Sequence, residues 1–286
     1  MTGSKVWEVL EAAVQSLEQA QVPEARLVAE LVLGHVVGCR RLELVLQRDR
    51  ALTEPEAETF RKLLARAVAG EPVQYVIGET EFMGHRIRVD RRVLIPRPET
   101  EMLAEVVLAC DDLWRRARPA LADVGTGSGC IAIALALARP HADYQATDRS
   151  PHAIELAREN AARLGAGDRI RFSCADLLDG VHLESLDAVV SNPPYVPGGL
   201  LESLPRNVRD FEPHTALDGG PDGLSVVWRL VRQSRDAVKS SGWTFLEIGE
   251  DQAGRVVSMM KWVGFESIRV VHDLTGRDRV VMGRNP

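Results

Sequence analysis

Apolar residues recur at helical spacing through the first quarter of the chain. Two such sets are separated by Pro23, and their members are Val6, Leu10, Val14 and Leu17, then Leu27, Leu31, Leu33, Val36 and Val37. A repeat of three to four residues gathers apolar side chains on one face of a helix. Thr53, followed by Pro55 and Glu56, predicts an N-cap and first turn for a third helix that runs to Gly70. Residues 1–70 are therefore predicted to form a small helical bundle.

The pattern changes after Gly70. Gly78 and Gly84 punctuate two short β-like runs, Tyr75–Ile77 and Arg86–Val89. Short β-branched and aromatic runs bounded by glycine are typical of strands joined by tight turns. Residues 71–95 are predicted to be a β-hairpin linker.

From Pro96 onward, apolar strand-like runs alternate with helical stretches. The runs are Ala120–Val124, Asp143–Thr147, Ile170–Cys174, Ala188–Ser191, Thr244–Ile248, Ser267–Val271 and Arg279–Met282. Alternation predicts a parallel, doubly wound sheet. The last two runs are joined by only Asp273–Asp278, too short for a crossover helix, so they should pair antiparallel. Residues 96–286 are predicted to be an α/β domain with a Rossmann-like, seven-stranded, mostly parallel sheet and an antiparallel C-terminal hairpin, which resembles class I methyltransferases.

Composition and charge limit the classes of function. Of 286 residues, 45% are hydrophobic and 27% charged, and the net charge of −6 argues against a nucleic-acid partner, which usually requires a basic face. Residues 1–70 carry nine Lys/Arg against ten Asp/Glu, a net of −1. The sequence shows no apolar run of about 18 residues and no clustered Cys or His residues, and residues 1–10 do not have the apolar core expected of a signal peptide. We expect a cytoplasmic protein, monomeric, without a metal site or a membrane partner.

A glycine-rich segment, Gly125-Thr126-Gly127-Ser128-Gly129, runs from a predicted strand into a helix. Glycines there allow a tight turn and close approach of a ligand, although a purely structural turn is the alternative. Dinucleotide enzymes favour the spacing GxGxxG, whereas GxGxG after Asp123 resembles the loop that binds S-adenosylmethionine. This segment is therefore a candidate cofactor site.

Acidic residues end the next two strands. Asp148 lies 23 residues after Gly125, where an acid can accept hydrogen bonds from ribose hydroxyls. Its alternative role is to cap the helix at Pro151, although Ser150 is better placed to do so. Asp176 is a candidate acceptor for the adenine amino group, with Leu177 beside the ring; a solvated loop carboxylate is the alternative.

The fourth strand ends in Asn192-Pro193-Pro194-Tyr195. The lone pair of a planar amide or exocyclic amine nitrogen is delocalised, so such a nitrogen needs acceptors that orient its N–H groups toward the methyl donor. The side-chain oxygen of Asn192 can accept one hydrogen, and the carbonyl of Pro193, held by restricted proline torsions, can accept the second. Tyr195 can stack on the planar group. A proline-rich turn without a catalytic role is the alternative.

Further motifs resemble the release-factor glutamine methyltransferases, the HemK/PrmC family. They span nearly the whole chain and comprise Tyr75–Gly78 with Phe82, Leu94–Glu101, Phe211–Pro213 with Ala216-Leu217, Gly219-Gly220, Asp222–Leu224, and Asp273-Leu274 with Gly276–Arg279. The resemblance implies methyl transfer from S-adenosylmethionine, leaving S-adenosylhomocysteine, to the glutamine of the Gly-Gly-Gln motif in peptide chain release factors. It also implies that the N-terminal bundle recognises the substrate protein.

Matched residue by residue, the resemblance implies two sets of contacts. Those to the cofactor fall on Gly125, Thr126, Gly127, Ser128, Gly129, Asp148, Leu177 and Asn192. Those to the substrate fall on Asn192, Pro193, Pro194 and Tyr195, with Phe82, Pro96 and Arg97 bordering the pocket. Arg97 has an alternative role as an ion-pair partner of Glu99 or Glu101. Glu247, at the end of the fifth strand, is either structural or part of the site.

Three other functions compete with this interpretation. A methyltransferase acting on glutamine in a ribosomal protein would share the fold and the Asn-Pro-Pro-Tyr motif. A DNA or RNA adenine methyltransferase would also share the motif, but it predicts a basic or target-recognition module that the near-neutral N-terminal segment does not supply. A non-catalytic S-adenosylmethionine-binding protein predicts a broken motif, whereas this one is intact.

Overall fold

A computed structural model describes residues 3–286 of the chain. It contains two compact units: Met1–Glu79 together with Pro205–Phe211, and Thr80–Leu204 together with Glu212–Pro286. In the described part of the chain, no helix has both the length and the apolar character needed to cross a membrane.

The first unit is helical. Its α-helices, numbered with the rest of the chain, are α1 (Val6–Gln19), α2 (Ala25–Val37), α3 (Glu54–Val68), α4 (Val73–Ile77) and α9 (Arg206–Arg209), and a 3₁₀ helix spans Arg41–Gln47. The predicted start of α3 is confirmed, because Thr53 is the N-cap residue and its N–H and hydroxyl both donate to the Glu56 carboxylate, each over 2.9 Å. The apolar faces meet in one core that contains Leu17, Leu33 and Phe60.

The second unit begins with a hairpin of β1 (Glu79–Phe82) and β2 (His85–Arg88). Its other strands are β3 (Ala120–Val124), β4 (Asp143–Asp148), β5 (Ile170–Cys174), β6 (Leu186–Ser191), β7 (Val238–Glu247), β8 (Glu266–His272) and β9 (Asp278–Arg284). Its α-helices are α5 (Pro98–Leu108), α6 (Asp111–Trp114), α7 (Cys130–Ala138), α8 (Pro151–Arg163), α10 (Ser225–Ala237) and α11 (Ala253–Trp262). Short 3₁₀ helices span Gly167–Arg169, Gly198–Ser203 and His214–Ala216.

The predicted fold class is confirmed. Seven strands form one sheet in the order β5-β4-β3-β6-β7-β9-β8, and the pairs from β5 to β7 are parallel. β9 pairs antiparallel with both β7 and β8, which is the C-terminal hairpin expected from the short polar connection. The interior strand β6 is buried along its whole length, as is typical of a parallel strand with both faces covered.

One local prediction was wrong. Tyr75–Ile77 was expected to be β-like, but these residues lie in the short helix α4. Pro72 precedes the helix, and Gly78 ends it in a left-handed conformation with φ of 87°. The side chains of Tyr75 and Val76 are buried, so tertiary packing outweighs the strand preference of an aromatic residue followed by two β-branched residues.

The strand order determines where a ligand site can form. β3 pairs with β4 on one side and with β6 on the other. The strands β3 to β5 are added toward one edge of the sheet and β6 and β7 toward the other, so the strand order reverses between the neighbours β3 and β6. Ligands in open α/β sheets bind beyond the carboxyl ends of the strands at such a switch point. The glycine-rich segment follows β3 and Asn192 follows β6, so these two motifs meet there.

Candidate active site

A cleft of about 840 Å³, including its open mouth, lies at this switch point. Its lining includes six of the residues predicted to contact the cofactor: Gly125, Gly127, Asp148, Asp176, Leu177, Asn192. Pro194 also lines it, together with residues that were not predicted, among them Arg92, Thr215 and Arg229. Three strand ends and the Asn-Pro-Pro-Tyr segment therefore contribute to one cavity of the size of a small-molecule site.

The buried Asp123 side chain fixes the glycine-rich segment through hydrogen bonds. Its carboxylate oxygen Oδ2 accepts hydrogen bonds from the Thr126 hydroxyl at 2.6 Å and from the Ala132 N–H at 3.1 Å. Complete burial raises the pKa of Asp123 to about 6. Thr126 and Ser128 are buried and do not line the cleft. The Thr126 side chain therefore shapes the loop through Asp123.

Two glycines show why the segment requires this residue type. Gly127 has φ of +54°, and a Cβ added there would meet no atom within 4 Å, which leaves the backbone open for a ligand. At Gly129, a Cβ would lie 3.1 Å from the Cβ of Ala157 and from Cδ1 of Ile133. Gly127 thus opens the cleft, whereas Gly129 permits close packing of α7 against α8.

The Asp148 carboxylate is fixed by backbone groups. Oδ2 accepts from the Gly127 N–H and Oδ1 from the Ser150 N–H, each at 2.9 Å. Ser150, and not Asp148, caps α8, because its hydroxyl oxygen accepts from the Ala153 N–H. Burial raises the pKa of Asp148. Each oxygen retains capacity for a further hydrogen bond, so the carboxylate fits a ligand with two adjacent hydroxyls.

Asp176 and Leu177, which follow β5, also line the cleft. Leu177 has φ of 55°, an uncommon conformation for a branched side chain and one that concentrates at functional sites. Its carbonyl accepts from the Thr147 hydroxyl at 2.8 Å, which fixes the turn. Asp176 is exposed, and its Oδ2 lies 2.6 Å from the Arg229 guanidinium. A ligand amino group would share this carboxylate with Arg229.

The Asn192 side chain is oriented from α5. Its Nδ2 donates to the Thr100 hydroxyl oxygen at 3.0 Å, and no described residue donates a hydrogen bond to its Oδ1. On the neighbouring residue, the Ser191 hydroxyl donates to the carbonyl of Val124 at 2.6 Å and so joins the ends of β3 and β6. Asn192 therefore lines the cleft with an acceptor available.

The Tyr195 backbone and side chain are both anchored. Its carbonyl accepts from Gln252 Nε2 at 2.9 Å, and its hydroxyl lies 3.5 Å from Oε1 of the buried Glu247. Burial raises the pKa of Tyr195 to about 12, so the phenol stays protonated at neutral pH. Tyr195 and Pro193 do not line the cleft, although they belong to the loop that does.

The three predicted border residues Phe82, Pro96 and Arg97 do not line this cleft. Phe82 is fully buried. Arg97 forms an ion pair with Glu212 at 2.5 Å, and the second Glu212 oxygen accepts from the Ile95 N–H at 3.1 Å. The alternative expectation, that Arg97 pairs with Glu99 or Glu101, was wrong. A carboxylate 115 residues away in the chain is its partner.

Sequence reasoning missed the roles of several residues in this region. Thr100 contacts Asn192, and Arg229 contacts Asp176. Thr100 and Arg229 are each far from their partner in the sequence, so no single motif contains both residues of a pair. Both residues lie in helices, and the helical spacing does not indicate which loop residue they contact. Only the position of Thr100 inside the Leu94–Glu101 motif offered a signal.

Comparison with known proteins agrees with the fold. Residues 8–78 match a family model described as the PrmC N-terminal domain, and residues 100–204 match the methyltransferase small domain. A methyltransferase of known structure from Pyrococcus furiosus aligns over 80% of this chain and 98% of its own, with a TM-score of 0.51 and 16% identity. The sheet order, the glycine-rich segment and the Asn-Pro-Pro-Tyr loop define a methyltransferase.

Two relatives specify the family. A release factor glutamine methyltransferase from Koribacter versatilis is 42% identical over 281 residues, which cover 98% of each chain. One from Chlorobaculum tepidum is 39% identical over 289 residues, again with 98% of each chain covered. This chain belongs to the release factor glutamine methyltransferase family.

Proposed function

We propose that this enzyme transfers a methyl group from S-adenosylmethionine to the side-chain amide nitrogen of the glutamine in the Gly-Gly-Gln motif of peptide chain release factors. The observation that carries the proposal is the single cleft that joins the glycine-rich segment and Asp148 to Asn192. Family membership supports the choice of substrate, since relatives with this name match along nearly the whole chain.

The cofactor would occupy the part of the cleft between Gly127, Asp148 and Leu177. Asp148 would accept hydrogen bonds from the ribose hydroxyls, because Gly127 and Ser150 already hold its carboxylate in place. Asp176 would accept from the adenine amino group, and Leu177 would cover one face of the ring. When bound, S-adenosylmethionine supplies an electrophilic methyl group on a positively charged sulfur.

The substrate amide would lie against Asn192. Its two N–H groups would donate to Asn192 Oδ1 and to the Pro193 carbonyl, and the Tyr195 ring would pack on the amide plane. These acceptors would point the nitrogen lone pair at the methyl group. No strong base is required, because the proton can leave after methyl transfer. Rate acceleration would come from orientation, for which the upper range is about 7–11 kcal/mol, and from fixed dipoles.

We also propose the three-part organisation of residues 1–70, 71–95 and 96–286, with the N-terminal bundle recognising the release factor. The 3₁₀ helix at Arg41–Gln47 supports this role: Leu42, Val45 and Leu46 are 77%, 65% and 81% exposed. Adjacent exposed apolar side chains mark protein-binding surfaces. In this proposal the enzyme acts in the cytoplasm as a monomer.

The activity is tested with labelled S-adenosylmethionine and a purified release factor, beside a factor whose loop glutamine is replaced by alanine. We expect label on the intact factor alone, mapped by peptide mass spectrometry to that glutamine. Equal labelling of both factors would refute the assigned acceptor. No label on either, with cofactor binding demonstrated, would move the substrate to a ribosomal protein or a nucleic acid.

Recognition by the bundle is tested with a double variant, Leu42→Ser with Leu46→Ser. We expect its KM for the intact factor to rise about fivefold or more, as for loss of moderate interface contacts. A short peptide that contains only the glutamine loop should be methylated equally by variant and wild type. Leu183→Ser, at another exposed apolar position, is the matched control. An unchanged KM in the double variant would refute this role.

A further inference from the structure

The Asn-Pro-Pro-Tyr segment is restrained unevenly by its own sequence. A proline ring fixes φ of its own residue and restricts the residue before it to extended conformations. Asn192 and Pro193 each precede a proline, so the direction of the Pro193 carbonyl is restricted locally. Pro194 and Tyr195 do not precede a proline. The directions of their carbonyl groups must therefore be set by contacts from other parts of the chain.

The turn from Gly219 to Gly223 supplies part of this restraint. A Cβ added to Gly219 would lie 2.8 Å from the Pro194 carbonyl oxygen, and one added to Gly223 would collide with the Tyr195 carbonyl oxygen. Gly223 also has φ of +76°, which other residue types rarely adopt. Glycine at these two positions lets the turn pack directly against the backbone of the Asn-Pro-Pro-Tyr segment.

The peptide group between Tyr195 and Val196 is held at both of its polar atoms. The Tyr195 carbonyl accepts from Gln252 Nε2 at 2.9 Å, and the Val196 N–H donates to the Leu217 carbonyl at 3.0 Å. A peptide group is planar, so two partners on opposite sides fix the orientation of its plane. One of the two partners is a side chain, that of Gln252.

The Gln252 amide connects this peptide group to the turn that follows β7. Its Oε1 accepts from the Gly249 N–H at 2.9 Å, and the residue is only 6% exposed. A backbone N–H only donates and a carbonyl only accepts, so the two backbone partners select one orientation of the amide. A reversed amide would oppose donor to donor at Gly249 and acceptor to acceptor at Tyr195. The bridge therefore has a single direction and is largely shielded from water.

We propose that Gln252 is a positioning residue for methyl transfer, which holds the Tyr195 backbone so that the aromatic ring covers the plane of the substrate amide. The inference rests on the proposed function, in which Tyr195 packs on that amide. Transfer depends on orientation, so a Tyr195 whose carbonyl is not anchored would leave the amide less well aligned with the methyl group. Gln252 does not line the cofactor cleft, so its removal should affect the reaction and not cofactor binding.

The test is Gln252→Met, which keeps an unbranched side chain of similar length and removes both hydrogen bonds. With the release factor as substrate, kcat should fall about tenfold or more, the scale of one lost buried hydrogen bond. The affinity for S-adenosylmethionine, measured by calorimetry, should not change. A wild-type kcat in Gln252→Met would overturn the proposal, and so would a loss of cofactor affinity as large as the loss of kcat.

Gln233→Met is the matched control. The Gln233 amide also bridges two groups of a loop, because its Oε1 accepts from the Leu178 N–H at 3.0 Å and its Nε2 donates to the Asp179 carboxylate at 3.1 Å. Both variants should lose thermal stability, but Gln233→Met should keep the wild-type kcat at saturating cofactor. An equal loss of kcat in the two variants would show a general structural effect and would refute the specific role of Gln252.

A second measurement needs no substrate and separates this inference from the substrate assignment. The chain contains three tyrosines, Tyr75, Tyr144 and Tyr195, so fluorotyrosine labelling allows each ring to be followed by ¹⁹F NMR. The Tyr195 signal is assigned through Tyr195→Phe, with S-adenosylhomocysteine bound. We expect Gln252→Met to shift or broaden this signal and to leave the other two unchanged.

This NMR result would stand even if the wild-type enzyme did not methylate the release factor, in which case the proposed substrate alone would fail. An unchanged Tyr195 signal in Gln252→Met would refute the positioning role whether or not the release factor is the substrate.

Discussion

The two sides of the cleft are built from different kinds of contact. On the cofactor side, the Asp148 carboxylate is held by two backbone N–H groups, and both belong to residues within 21 positions of it. On the reaction side, the Asn192 amide donates to the Thr100 side chain, 92 residues away in the chain. A backbone donor has one possible direction, whereas a side-chain amide or hydroxyl has two. The carboxylate on the cofactor side is therefore held by local backbone groups, whereas the amide on the reaction side is held by a side chain that is distant in sequence.

Removal of Asp148 should have the largest effect on binding. Asp148→Ala should weaken the affinity for S-adenosylmethionine about 10- to 100-fold, because hydrogen bonds to a charged acceptor are lost. At saturating cofactor, the single-turnover rate should change little. Asp143→Ala, at the other end of β4 in an exposed ion pair with Arg118, is the control for titration calorimetry. A large loss of the single-turnover rate with an unchanged affinity for S-adenosylmethionine would contradict the assignment of Asp148 to cofactor binding and of Asn192 to the reaction.

The buried carboxyl of Glu247, beside the Tyr195 hydroxyl, should destabilise the fold at high pH. The folded-state pKa of Glu247, about 7, lies above its ordinary value of 4.5. The folded protein therefore binds this proton more tightly than the unfolded chain, and stability is lost as the pH rises from about 4.5 through 7. Glu247→Gln should match the wild type near pH 5 and exceed it by up to about 3 kcal/mol at pH 8.

Urea unfolding of both proteins at pH 5 and pH 8 measures this difference. A constant difference between the two pH values would show that Glu247 does not titrate in this range.

The exposed ion pair between Arg229 and Asp176 should have the smallest effect on cofactor affinity. Arg229 and Asp176 are both about half exposed, and such pairs contribute roughly 0–1 kcal/mol. Arg229→Ala should therefore change the affinity for S-adenosylmethionine by less than about fivefold, measured by calorimetry at 0.15 M salt. A larger change would mean that Arg229 contacts the ligand itself, and that the cofactor side also depends on a distant side chain.

The same contrast explains what the sequence could predict. The strands and the order of the functional loops follow from local apolar runs, glycines and the ends of strands, and the predicted fold class is confirmed. Ser150 was recognised as the cap of α8 because capping depends on residues only three positions apart. The roles assigned to individual site residues stay predictions.

Contacts between side chains that are far apart in the sequence could not be predicted. The Arg97 partner was sought among its neighbours Glu99 and Glu101, although Glu212 has the buried carboxylate that needs a charge. Burial of an ionised carboxylate without a partner is costly, and a single sequence does not show which residues become buried. Likewise, the strand preference of Tyr75–Ile77 gave no information about the core that buries two of them.

The most direct test of the account is Asn192→Ala, measured by cofactor affinity and by single-turnover methyl transfer to the release factor. The account predicts an affinity within about threefold of wild type, because Asp148 and the glycine-rich segment are intact. The transfer rate should fall about 100- to 1,000-fold, as when one preorganised polar group is removed from an active site. Full transfer by a folded Asn192→Ala enzyme would contradict the assignment of this side chain as the acceptor that orients the substrate.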